Sequence, residues 1–68
     1  MIIYQNNKYV VTQSKKDKTI RIGQKLPDGF LGLKWRLHLD KNSRILTAEE
    51  GERLLNGFLE LWGEKKND

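Results

Sequence analysis

The longest regular pattern in the chain runs from Leu31 to Asp40. Leu31, Leu33, Trp35, Leu37 and Leu39 alternate there with Gly32, Lys34, Arg36, His38 and Asp40. A period of two is that of a β-strand, whose side chains point alternately to opposite faces. One face of this segment is therefore expected in the core and the other toward solvent or a ligand. Shorter runs upstream repeat the theme. Ile2 to Tyr4 reads as a first strand, and the β-branched and aromatic run Tyr9 to Thr12 as a second. Asn6-Asn7 between them suits a tight hairpin turn, because asparagine tolerates positive φ. Lys15-Lys16-Asp17-Lys18 is a polar turn, and Thr19-Ile20-Arg21-Ile22 resumes the alternation. Pro27-Asp28-Gly29 marks the next turn, since proline presets φ and glycine accepts positive values. Asp40-Lys41-Asn42-Ser43 turns the chain again.

The period then changes. Thr47-Ala48-Glu49-Glu50 has the form of a capping box: the threonine hydroxyl can accept from the Glu50 amide while the Glu50 carboxylate reaches back to the Thr47 amide. Glu49, Glu50 and Glu52 complement the positive end of a helix that begins there. At ~100° per residue, Leu61, Leu54, Phe58, Gly51, Trp62, Leu55 and Leu59 fill a continuous arc of about 160°. Gly63 is a natural C-terminal stop, Lys65 and Lys66 suit a helix end, and residues from about 64 to 68 read as a frayed tail. The expected fold is α+β, a four-stranded antiparallel sheet in the order ββββα, closed by one amphipathic C-terminal helix over about 48–62. One domain spanning 1–68 holds it. The apolar arc is wider than the ~100° that covers a single sheet. The surplus predicts a homodimer packed through the helix, with Leu54, Phe58, Leu61 and Trp62 in the seam and Gly51 permitting close approach. A chain this short buries only ~60% of its unfolded surface, so shared burial adds stability.

Composition narrows the chemistry. The absence of cysteine rules out disulfides and thiolate metal sites, and His38 is the only histidine, so neither a metal nor a cofactor is expected. No run of ~18 apolar residues suits a membrane span. The first residues lack the charged and apolar regions of a secretion signal, and the expected location is the cytoplasm. No catalytic constellation stands out. Ser14 or Ser43 with His38 would have to be built from turn residues, and Asp17, Asp28 and Asp40 have turn-forming roles. The chain reads as a non-enzyme.

Charge adds a direction. The net charge is +4, but residues 1–46 carry ten Lys/Arg against three aspartates, and residues 47–68 three against six acidic residues. Such asymmetry points one face at a polyanion. Lys34, Arg36 and His38 project from one strand, Arg21 and Thr19 from a neighbour, with Lys15, Lys16, Lys18 and Lys25 flanking them. Cations that track phosphates and rings that stack on bases are the usual equipment for a single strand. Lys18, Arg21, Lys25, Lys34, Arg36 and His38 are therefore the candidate nucleic-acid contacts. Tyr4, Tyr9 and Phe30 are candidate rings, and Trp35 is assigned to the core.

The stretch from Lys34-Trp35-Arg36 through Leu46-Thr47, Glu49-Glu50 and Leu54-Leu55 resembles the C-terminal half of the positive-cofactor-four (transcriptional coactivator) domain, and most of all its small bacterial and phage-type relatives. The resemblance covers about residues 34–55. It implies a ββββα fold that dimerises through the helix and binds single-stranded DNA on a basic sheet. Ser43 and Arg44 stand where the family often has a glycine and an apolar residue, and Gly51 where it often has an aromatic. The runner-up reading is a small phage or mobile-element inhibitor or regulator that binds a host protein, favoured by the scarcity of aromatics on the basic face. A third is a subunit whose helix docks on an unlike partner.

Overall fold

Each strand pairs with its neighbours in sequence in the computed structural model, which describes residues 1–62. The elements are β1 (Ile2–Gln5), β2 (Tyr9–Gln13), β3 (Ile20–Lys25), β4 (Leu31–Leu37) and α1 (Ala48–Trp62). The sheet is antiparallel in the order β1-β2-β3-β4, and α1 crosses β1 and β2 on one face. This is the expected α+β, ββββα arrangement. Gly63, assigned to the helix stop, and the tail at 64–68 lie outside the described residues.

The turns form by side-chain capture as much as by backbone freedom. Asn6 and Asn7 do not adopt positive φ. Instead the Asn6 Oδ1 accepts the amides of Lys8 and Tyr9, both at 2.8 Å, so the first hairpin closes through a side chain. Lys18 is the non-glycine residue with positive φ, at 65°, and Asp17 holds the adjoining Thr19 amide at 3.0 Å. Gly29 takes φ 92°, and its amide donates to the Leu26 carbonyl at 3.0 Å, closing the turn at Pro27-Asp28 as expected.

Ile3, Tyr9, Val11, Ile20, Ile22 and Leu55 form the buried centre, with Trp35, Leu37, Leu39, Ile45, Leu46, Leu54, Phe58 and Leu59 packed around it. The edge strand β4 does not keep one apolar face. Ile22 pairs with Trp35 but Gly23 pairs with Leu33, so Lys34 is an extra residue, a β-bulge. Beyond it the alternation inverts. Trp35 and Leu37 face the helix, whereas Leu31 and Leu33 point to the opposite face, 58% and 53% exposed. The five-residue apolar face expected from Leu31 to Leu39 is thus split, and regular pairing ends at Leu37. The other edge carries a second irregularity, where Ile3 is extra between Ile2 and Tyr4. Ile3 and Tyr4 both lie against α1. A Cβ on Gly51 would stand 3.2 Å from the Ile3 tip and the Tyr4 Cβ, so Gly51 lets the helix approach its own sheet. Its expected role between two helices gives way to that one.

Two polar devices fasten α1. Gln13 is buried, 1% exposed; its amide nitrogen donates to the carbonyls of Lys18 (3.2 Å) and Arg44 (3.3 Å), and its oxygen accepts from the Leu46 amide (2.8 Å). One side chain thereby ties β2 to the β2–β3 turn and to the segment entering the helix. The second device is the capping box itself, with Glu50 N–H to Thr47 Oγ1 at 3.2 Å and Thr47 N–H to Glu50 Oε1 at 3.0 Å. Arg44 clasps the same carboxylate with both guanidinium nitrogens.

Three outcomes follow from these contacts. Gln13→Leu strands one amide and two carbonyls, each worth ~1–3 kcal/mol when left unpaired in the interior, and chemical denaturation is expected to show a loss of at least ~2 kcal/mol. Thr47→Ala is expected to cost ~1 kcal/mol and Thr47→Asp to be near neutral, since aspartate also caps; equal melting temperatures for the two would refute the boundary. The Arg44 guanidinium, helped by the Thr47 amide, lowers the Glu50 carboxyl from 4.5 to about 2. A depressed carboxyl stabilises fully above its unfolded value and loses that contribution as pH falls through its folded one. Glu50→Gln is therefore expected to melt lower than wild type at neutral pH, and the gap to close between pH 4.5 and about 2.

Candidate nucleic-acid interface

The sheet face away from α1 carries the cations. Because Ile20 and Ile22 are buried against the helix side, Arg21 projects to the open face from the middle of β3. Cross-strand register sets out its neighbours in rows. Ile2, Thr12, Arg21 and Arg36 make one row; Gln5, Val10, Gly23 and Leu33 make the next; Lys25 and Leu31 end the face. Arg21 and Arg36 stand directly opposite each other. Like charges so placed repel, and a structural pair would normally have a carboxylate nearby. The ion pairs among the described residues, Arg44–Glu50 and Arg53–Glu49, both involve acids of the helix. Arg21 and Arg36 are exposed, and no described carboxylate pairs with either.

The remaining candidates divide. His38 continues the open face past β4, with its Nδ1 3.4 Å from the Thr19 hydroxyl. Lys25 is exposed on the same face, four residues from Arg21 and so ~13 Å away along the strand. Lys34 is the bulge residue, and its ammonium lies 5.7 Å from the centroid of the Trp35 ring, a cation–π position rather than a place beside Arg36. Lys18 sits in the β2–β3 turn, with its ammonium donating to the Lys15 carbonyl at 3.2 Å. The structure therefore brings together Arg21, Arg36 and His38, sets Lys25 at the far end, and turns Lys34 and Lys18 aside.

The candidate rings fare differently. Tyr9 is buried in the core and Tyr4 packs against it; Phe30, at the β3–β4 turn, is 69% exposed. What replaces rings on the open face is aliphatic. Val10, Thr12, Arg21, Gly23, Leu31 and Leu33 line a shallow depression of about 190 Å³. Strict alternation assigned both leucines to the core, so sequence reasoning missed it. No local signal shows it, because Lys34 fits the alternation as an outward-facing residue and only the pairing register makes it a bulge.

On the other side an aromatic row leaves the core. Trp35 stacks on Phe58 at 5.2 Å between centroids, and Phe58 meets Trp62 at 5.3 Å. Trp62 lies near the middle of the helix's apolar arc yet is 62% exposed, and Leu61 beside it is 67% exposed. Leu54 and Phe58 are half-buried. Among the described residues no group of three or more histidine, aspartate or glutamate side chains is placed to hold a metal, and no helix is long and apolar enough to cross a membrane. No protein-family model, curated protein or solved structure matches this chain, so its function is read from the residues of these two surfaces alone.

Proposed function

We propose that this protein is a homodimeric regulator that binds single-stranded nucleic acid, with DNA the first candidate, on the open face of its sheet. The observation that carries this reading is the Arg21–Arg36 pair, two exposed guanidiniums in opposed positions with no described carboxylate on either. At ~5 Å in water two unit charges repel by less than ~1 kcal/mol, so the sheet tolerates the pair. A phosphate between them replaces that repulsion by charge-assisted, bidentate hydrogen bonds. His38 and Lys25 extend the track in both directions. Dimensions favour a single strand over a duplex. With strands ~4.8 Å apart, β1 and β4 lie roughly 14 Å apart, wider than the ~12 Å major groove. An extended strand can instead lie along the face with its phosphates on the cations. The resemblance over residues 34–55 points the same way. The Trp35–Phe58–Trp62 row and Leu61 are the surface on which a second copy would pack, shielding apolar area that one chain leaves open.

A second reading has its own observation. Leu31 and Leu33 share the open face with Arg21, and apolar groups ringed by cations also suit an acidic protein surface. A small inhibitor or regulator of the kind that phages and mobile elements encode would use the face in that way.

Fluorescence titration with single-stranded oligonucleotides separates the readings. Affinity is expected to fall with salt by a log–log slope of about −0.7 per phosphate contacted, and Arg21→Ala with Arg36→Ala, which together hold one phosphate, to flatten the slope by about 0.7 on all sequences alike. Lys34→Ala is expected to change it less, given where its ammonium lies. No binding at ~50 mM salt, where phosphate contacts are at their strongest, sinks the nucleic-acid reading. Sedimentation is expected to give twice the 8.0 kDa chain mass, and Trp62→Glu to give folded monomers. A wild-type monomer at high concentration removes the dimer.

A further inference from the structure

We infer that the depression beside Arg21 is a nucleobase site: one base lies over Gly23 between Leu31 and Leu33 while Arg21 and Arg36 hold its phosphate. The inference rests on the nucleic-acid reading and gives it a subsite. The depression exists because two local features coincide. The bulge at Lys34 sends Leu31 and Leu33 to the open face, and Gly23, between Val10 and Leu33 in its row, contributes no side chain to fill the gap. Val10 forms the floor; it is only 4% exposed although it lies outside the helix-side core. The result is a flat apolar floor with two leucine walls, one row along the strand from the arginines. That step is ~6.6–6.8 Å, of the order of the distance from a nucleotide's base to its own phosphate. Volume decides how much of the ligand enters. About 190 Å³ falls below the ~300–1,000 Å³ of a pocket for a whole drug-sized molecule. A planar ring fits, with sugar and phosphate left outside on the cations.

The lining also sets the mode of recognition. Its hydroxyl, on Thr12, donates to the Arg21 carbonyl at 3.4 Å and is engaged within the sheet. The walls are aliphatic. The ring is thus held by its faces, with its hydrogen-bonding edges unread, and pyrimidines and purines are expected to bind with little discrimination. An acidic peptide could place an apolar side chain in the same depression. The base is favoured because a flat floor of Val10 and Gly23 beside paired guanidiniums matches a flat ring tethered to a phosphate.

The test compares an oligothymidine with an abasic oligonucleotide of equal length at one salt concentration. Wild type is expected to bind the thymidine strand several-fold more tightly, because a seated base buries apolar surface against the leucines. Gly23→Val fills the depression and is expected to abolish that preference while leaving abasic binding and the salt slope unchanged. A Cβ at Gly23 meets its nearest atoms at 3.5 and 3.9 Å, ordinary contacts, so the position accepts the first carbon of a side chain. Leu33→Ser, at an exposed position, removes a wall and is expected to reduce the preference as well. Equal wild-type affinity for both strands, with a normal salt slope, overturns the base site and leaves the nucleic-acid reading standing. Failure to bind either strand, with tight binding of an acidic peptide of alternating glutamate and leucine, overturns both.

Discussion

The strict two-residue period of a pleated strand is the constraint on which the rest of this structure depends. A single extra residue sends every side chain beyond it to the other face. Both edge strands contain one. On β1 the irregularity at Ile3 lets Ile3 and Tyr4 together meet the helix, and the helix answers with Gly51, where any side chain would crowd them. On β4 the extra residue is Lys34, with opposite consequences on its two sides. Trp35 and Leu37 enter the core, while Leu31 and Leu33 leave it for the face that bears the arginines. One inserted residue therefore both limits the core and builds the floor-and-wall geometry of the open face.

A core this small leaves polar contacts with much of the task of fixing geometry. Fully buried apolar side chains are few, and α1 covers chiefly β1 and β2. What orients the helix is the Gln13 amide, which reaches three backbone groups from two separate segments, and the reciprocal box between Thr47 and Glu50. These contacts fix where the helix begins. Toward its far end Leu61 and Trp62 are uncovered although they belong to the apolar arc.

The charge imbalance between the two parts of the chain becomes a separation in space. The acids Glu49 and Glu50 sit at the helix start, where they favour the helix dipole and engage Arg53 and Arg44. Those arginines are neutralised on the helix side, and the ones on the open face are not. A net +4 chain can in this way present one face whose cations meet no described carboxylate. Exposed ion pairs contribute little to stability, so the arrangement matters more for what the open face attracts than for how firmly the fold holds.

The sequence by itself determined the elements. Period-two runs and turn residues placed the strands, and the capping box with its apolar arc placed the helix over 48–62, because these signals are local and each residue's neighbours decide them. It also identified Arg21, Arg36 and His38 as companions, since alternation on β3 and on β4 beyond the bulge holds. Only the tertiary structure decided the rest. Periodicity gives faces but no register, so the inversion at Lys34, the exposure of Leu31 and Leu33, and the diversion of the Lys34 ammonium to Trp35 could not be read. Nothing local marks Gln13, because its partners lie up to 33 positions away. Tyr9 read as a candidate ring for the ligand face and Gly51 as a point of approach between two helices, but what they face depends on where the helix lands. Local chemistry selects the element, whereas pairing between segments distant in the chain selects which surface each side chain joins.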